Sequence, residues 1–183
     1  RGNLESMDIN KKNENGYDLT AVLFTPDKES PGTVESLVDF SEKVDATWQH
    51  SPDGKKHEVT LTNVPAGMKG ERILRLSVSS NKLGVEKADV VTVNIPDQND
   101  FSVYDVVYVS EPECYVEVAF TKLLDSAQDM RGLAFIAGNT SETVNVDGNK
   151  LRLYPDADLR EKGAMNIHLN QGIRSKSGLN LKE

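Results

Sequence analysis

Apolar and polar residues alternate along this chain in short runs, and that period of two constrains the fold more than any other feature. ILRLSV at 73–78 places Leu74, Leu76 and Val78 on one face and Arg75 and Ser77 on the other. ADVVTVNI at 88–95 aligns Val91, Val93 and Ile95, and HEVTL at 57–61 aligns Val59 with Leu61. YDLTAVLF at 17–24, FSVYDVVYV at 101–109, CYVEVAF at 114–120, KLRLY at 150–154 and AMNIHL at 164–169 follow the same grammar. TVESLVDF at 33–40 does too, with Val34, Val38 and Phe40 on one parity. Side chains point to opposite sides of a strand in turn, so each run predicts a strand with one buried face. Turn residues separate the runs, among them Pro31-Gly32, Pro52-Asp53-Gly54, Pro65-Ala66-Gly67 and Asp147-Gly148-Asn149. Long stretches with helical period are missing; SAQDMRGL at 126–133 forms at most a short helix or helical turn. The expected class is all-β, built as sandwiches.

The chain has 183 residues, enough for one mid-sized domain or two small ones. Its 29 acidic residues outnumber 21 basic ones, giving a net charge of -8. Such a surface repels phosphate backbones, so nucleic acid is not an expected partner. One cysteine, Cys114, rules out an intrachain disulfide and argues against a thiolate metal site. No run reaches the roughly 20 apolar residues that span a bilayer. The chain starts at Arg1 rather than Met, as a processed or truncated piece would.

No set of residues reads as catalytic. His57-Glu58 begins like a zinc-protease motif, but Leu61 stands where the second His would be needed on a helix face. His50 is read in a turn and His168 as alternating outward, so these imidazoles are expected on the solvated surface. Cys114 shares parity with Val116, Val118 and Phe120 and is expected as a half-buried thiol at a strand start. Trp48 is expected as a core or strand-edge residue. Asn139-Thr140-Ser141 is the one glycosylation sequon. The carboxylates of DQND at 97–100, with Asp156, Asp158 and Glu161, echo the calcium linkers of cadherins, but their order and placement are wrong for a clamp, and DQND is read as a polar hinge. Hence no catalytic, cofactor-binding or metal-ligating residue is assigned, and no cofactor is expected.

One motif recurs. VDFSEKVD at 38–45 and VAFTKLLD at 118–125 both read Val-x-Phe-(Ser/Thr)-x-x-(Val/Leu)-Asp. The first leads to DGKKHEVTL, a Pro-Ala-Gly turn, Gly70 and NKLG. The second leads to DGNKLRL, YPDADL, Gly163 and KSGLNL, with about 13 extra residues. Two diverged copies explain this pattern, with a break at IPDQNDF where Pro96 and a polar run interrupt the strands. The expected layout is a flexible segment over 1–16, a domain over 17–96, a linker over 97–100 and a domain over 101–183.

These motifs resemble bacterial Ig-like domains, in which a "V.FS.P.D" strand opens the sandwich and a "GI.S.SG..L" segment closes it. VEVAFTKLLD, DMRGLAFI, VDGNKLRLYPDADL and QGIRSKSGLNL together resemble the N-terminal macroglobulin-like region of Bacteroidetes-type alpha-2-macroglobulins. The likeness covers 101–183 strongly and 17–96 weakly, since Lys43 stands at the Pro position and the closing segment shrinks to NKLGVE. The resemblance implies two tandem Ig-like β-sandwich domains acting as non-catalytic scaffold in a large protease-trapping inhibitor. It implies a periplasmic or cell-surface location, with any lipid anchor lying outside this chain. Partners would be the other domains of the same long chain, and proteases only through the full-length protein. The family's thioester needs Cys-Gly-Glu-Gln, whereas Cys114 stands in Glu113-Cys114-Tyr115-Val116. An Ig-like stalk, adhesin or carbohydrate-binding module is the alternative, favoured if Trp48 with Tyr17 or Tyr154 forms an exposed aromatic platform.

Overall fold

A computed structural model describes residues 3–4, 8–10, 16–79, 89–141 and 143–183. The chain is all-β, with strands in several antiparallel sheets and two short helices among the described residues. It divides into two compact units, the first running to Gln98 and the second starting at Asn99.

The first unit holds β1 (Asn3–Leu4), β2 (Asp8–Asn10), β3 (Tyr17–Phe24), α1 (Pro31–Leu37), β4 (Val38–Phe40), β5 (Asp45–His50), β6 (Lys56–Val64), β7 (Arg72–Val78) and β8 (Asp89–Ile95). One sheet runs β1-β3-β6-β5, with β2 also on β3; the other runs β4-β7-β8. Alternation explains the β3–β6 pairing. Tyr17, Leu19, Ala21 and Leu23 are buried, and they face Val64, Leu61, Val59 and His57 on the same side. Each fully buried Leu contributes about 1.5–3 kcal/mol by leaving water. The parity breaks at Asn63, which adopts φ 53° in the left-handed region that Asn tolerates. The register shifts there, and Val64 is kept inside. In the second sheet Leu74, Leu76, Val78, Val93 and Ile95 are buried as their parity requires.

Two expectations change here. The run at 33–40 is not one strand: residues 31–37 are helical and only Val38–Phe40 is extended. Ser30 caps the helix, its Oγ accepting from the Thr33 N–H at 3.3 Å, and Pro31 follows at the first turn, where a missing N–H costs nothing. Val34 and Leu37, three apart, share the buried face. Part of the segment expected to be a flexible lead-in is paired, with Leu4 opposite Leu23 and Ile9 opposite Leu19. Polar composition does not prevent this, because a strand edge offers unpaired backbone groups to any sequence. NKLGVE lies outside the described residues.

The second unit holds β9 (Val103–Val109), β10 (Tyr115–Phe120), β11 (Ala134–Ile136), β12 (Val144–Asp147), β13 (Lys150–Leu153), α2 (Ala157–Glu161) and β14 (Ile167–Leu169). A four-stranded sheet runs β12-β13-β10-β9, and β11 pairs with β14. Val116, Val118, Phe120, Leu151 and Leu153 from the larger sheet and Ala134 and Ile136 from the smaller join Phe101, Met130 and Ile173 in one core. SAQDMRGL forms turns, closed by Gln128 N–H to Asp125 O and Leu133 N–H to Met130 O. YPDADL runs into α2, which begins after Asp156.

The repeated motif makes the same local bonds in both units. The Ser41 N–H donates to the Arg75 carbonyl and the Arg75 N–H returns to Ser41 Oγ, both at 3.0 Å. The Thr121 N–H donates to the Ser102 carbonyl and the Ser102 N–H returns to Thr121 Oγ1, again both at 3.0 Å. The surroundings differ. Val38–Phe40 is the end strand of its sheet and Phe40 is half-buried, whereas Val118–Phe120 ends a strand flanked by β9 and β13, with Phe120 fully buried.

Candidate functional site

The most connected polar cluster lies in the first unit, on the β5–β6 hairpin. The Pro52-Asp53-Gly54 turn sets the register, so His50 faces His57 and Trp48 faces Val59. Alternation puts all four on one side. His50 Nδ1 and His57 Nδ1 are 2.8 Å apart, and their ring centroids 5.1 Å. His50 Nε2 contacts Glu35 Oε1 of α1 at 3.0 Å. Trp48 stacks on His50 with the rings 5° from parallel. His57 is fully buried, and its Nε2 lies 3.4 Å from Thr25 Oγ1, whose proton goes to the Asp27 carbonyl at 2.8 Å. Burial pushes the His57 imidazole below its ordinary range, and the neighbouring His50 adds to this; the Gly54 backbone, Glu29 and Asp53 oppose it.

The surface assignment of the imidazoles therefore fails for two of three. His57 is 0 % exposed and the His50 side chain 15 %, while His168 is exposed and stacks on Phe135 across β11–β14. His50 ends a strand instead of lying in a turn. The pair was legible in principle: positions 50 and 57 are equidistant from the 53–54 turn centre, which makes them cross-strand partners. Val59 and Leu61 already share the parity of His57.

Other singled-out residues serve local structure. Cys114, intermediate in burial, precedes β10 and lies 2.9 Å from the Tyr108 hydroxyl, whose pKa this contact raises. Asn139 of the sequon uses its amide fully: Nδ2 donates to the Ser141 and Tyr154 carbonyls and Oδ1 accepts from the Asp156 N–H. Asp156 accepts from the Thr140 N–H and hydroxyl, which holds its carboxyl below the usual range. In the hinge segment, Asp97 accepts from the Gly70 N–H, and Asp100 accepts from Ser102 and Lys182. Among the described residues, no three His, Cys, Asp or Glu side chains converge as metal ligands would. Among the same residues, no helix is long and apolar enough to cross a membrane.

The aromatic platform required by a sugar-binding reading is not built from these residues. Tyr17 is fully buried and Trp48 is half-buried against His50. Tyr154 belongs to the second unit, 6.0 Å from Tyr115, over which Arg152 sits at 4.6 Å. A groove of about 250 Å³ in that unit is lined by Phe135, Tyr154, Thr143 and Val144, with Arg131 at its rim. Arg131 is held by a bidentate pair with Asp129, whose carboxyl is pushed down to about 2.

Comparison with protein-family models, curated proteins and solved structures finds no match. The established class is an all-β, β-sandwich-like protein.

Proposed function

We propose that the chain is passive architecture: two tandem Ig-like β-sandwich domains that space other parts of a larger alpha-2-macroglobulin-like, protease-trapping protein at the periplasm or cell surface. The observation that carries this reading is how the second unit uses the residues bearing the resemblance. The closing segment folds back on itself, with the Ser175 N–H donating to the Leu179 carbonyl and the Leu181 N–H to the Ile173 carbonyl. It also locks onto the tail of the motif. The Asp125 N–H donates to the Arg174 carbonyl and the Lys176 N–H to the Leu123 carbonyl. Ile173, Ser175 and Leu124 are buried there, and the Lys182 N–H reaches back to the Phe101 carbonyl at the start of the unit. Opening strand and closing segment thus share one seam, as segments that begin and end a module do. Outside the His50–His57 cluster, the polar side chains described above are spent on local structure, which suits a spacer.

A blot of fractionated source cells with antibody to this chain tests the proposal. The expected signal is an envelope-associated polypeptide far larger than 20.2 kDa, whose mobility or shape changes after a protease cuts it. A cytosolic polypeptide of the chain's own size, or a large one indifferent to proteases, would refute the trap.

A further inference from the structure

The histidine pair has no part in a spacer role, yet its geometry specifies a proton count. Four ring nitrogens lie in one line of contacts. At one end His50 Nε2 meets the Glu35 carboxylate, which accepts. At the other, His57 Nε2 lies 3.4 Å from the Thr25 oxygen, whose own proton is committed to the Asp27 carbonyl, and the Gly54 backbone favours the charged ring. Both outer nitrogens therefore carry protons. The inner Nδ1–Nδ1 contact at 2.8 Å requires one more, since one nitrogen must donate and the other accept. Three protons on two imidazoles amount to one net positive charge. A fourth would set N–H against N–H and place two cations in van der Waals contact, one of them fully buried.

We propose that His50 and His57 form a proton-operated latch: the pair holds one added proton between α1 and the β5–β6 hairpin, and a second proton releases α1.

The charged groups around the pair support a single charge. Glu35 on α1 touches His50, while Glu29 before α1 and Asp53 in the hairpin turn act on His57 from further away. Lys56 and Glu58 flank His57 on β6, and β3 contributes apolar Leu23 opposite it. Solvent reaches His50 through a shallow opening of about 200 Å³ lined by Gln49, Ser51, Lys56 and Glu58. α1 depends on the latch because it is short. Seven residues with two buried side chains are marginal as a helix by themselves, and Glu35 ties α1 to the hairpin. The sign follows from burial. For the second proton the folded state binds more weakly than an unfolded imidazole does, so its uptake removes stability as pH falls below about 6.5, whereas the stability tied to the first proton is present only below the upper step, where that proton is bound.

The test is a series from about pH 8 to about pH 4 on the whole chain, following ring nitrogens by long-range ¹H–¹⁵N spectra and α1 amides by hydrogen exchange corrected for intrinsic rates. The expected result is two separate ring steps, the lower one lying below that of a free imidazole. Protection of the Val34–Leu37 amides falls across the lower step by about tenfold per pH unit, the slope for uptake of one proton. His57→Gln keeps a polar group at the inner contact but cannot charge, so the lower step and the loss of protection both vanish. Both rings charging together at a free imidazole's position would overturn the latch. So would α1 protection that ignores pH, or a loss that persists in His57→Gln. If that variant fails to fold, the ring nitrogens of the unmodified chain decide the question. A failed trap assay leaves this result untouched, because the latch needs only the first unit's geometry.

Discussion

The shared hydroxyl of the repeated motif is worth a different amount in each unit, and the difference can be worked out. Thr121 is 3 % exposed. Its Oγ1 accepts from the Ser102 N–H at 3.0 Å and donates to the Asp100 carbonyl at 2.9 Å. Thr121→Val keeps the side-chain shape and leaves both partners unpaired in a part-buried site. Two such bonds at about 1 kcal/mol each put the cost near 2 kcal/mol. Ser41 is exposed and its Oγ accepts one bond, from Arg75 N–H. Water replaces that acceptor, so Ser41→Ala costs about 0.5 kcal/mol. Thermal unfolding followed by circular dichroism separates the two. For a unit of this size the Thr121→Val transition of the second unit drops by about 10 °C and the Ser41→Ala transition of the first by a quarter of that. The single tryptophan, Trp48, reports the first unit by fluorescence and assigns the transitions. A Thr121→Val shift no larger than that of Ser41→Ala would refute the reasoning, because it would mean burial does not set the value of the bond.

Leu151 is fully exchanged from water in the second core, so Leu151→Ala costs about 2–5 kcal/mol, read as a lower urea midpoint with an unchanged slope. Ser30→Ala removes the α1 cap and costs about 1 kcal/mol, seen as faster exchange of the α1 amides. Gly67→Ala fails sterically, since a Cβ there would collide with the Gly70 carbonyl oxygen; the expected outcome is a displaced 65–70 turn and a loss of about 1–3 kcal/mol in denaturant unfolding. Asp129 titrates at about 2, held down by its hydrogen bonds to Arg131, so its contribution is present above the ordinary aspartate range and is lost as pH falls toward 2; carboxyl ¹³C shifts check this.

Much of the sheet structure was readable because burial follows parity. β3, β6, β7, β10 and β13 fall where alternation puts them, with Leu74, Leu76 and Val78 buried in order. α1 was not readable by the same rule. Val34 and Val38 satisfy a period of two and Val34 and Leu37 satisfy a helical spacing, so the pattern alone does not decide. The decision lay in Ser30-Pro31, a start signal that parity ignores. The histidine pair hid for a related reason. Imidazoles carry no strong preference for inside or outside, and only the hairpin register, not residue type, placed His57 against Leu23 and His50. The seam between motif and closing segment joins residues about fifty positions apart, a distance over which local pattern says nothing.

The two motif copies raise a narrower point about what a sequence repeat encodes. The strand pairings are not equivalent: the motif strand of the second unit lies beside β13, the strand that follows the Asp147-Gly148 turn, whereas in the first unit the strand that follows Asp53-Gly54 is in the other sheet from the motif. Yet the hydroxyl after the Phe makes the same reciprocal pair with one backbone residue in both places. Such a pair needs only one neighbouring chain at strand spacing. It is therefore compatible with the end strand β4 as well as with the enclosed strand β10. Val-x-Phe-Ser/Thr is then a rule for ending a strand with its last N–H and the facing N–H both satisfied. The buried state of the Phe, complete at Phe120 and partial at Phe40, is set by what each sheet lays over it. Exchanging Ser41 and Thr121 between the copies should cost little in hydrogen bonding, and any asymmetry would come from the methyl group, which is buried only at Thr121.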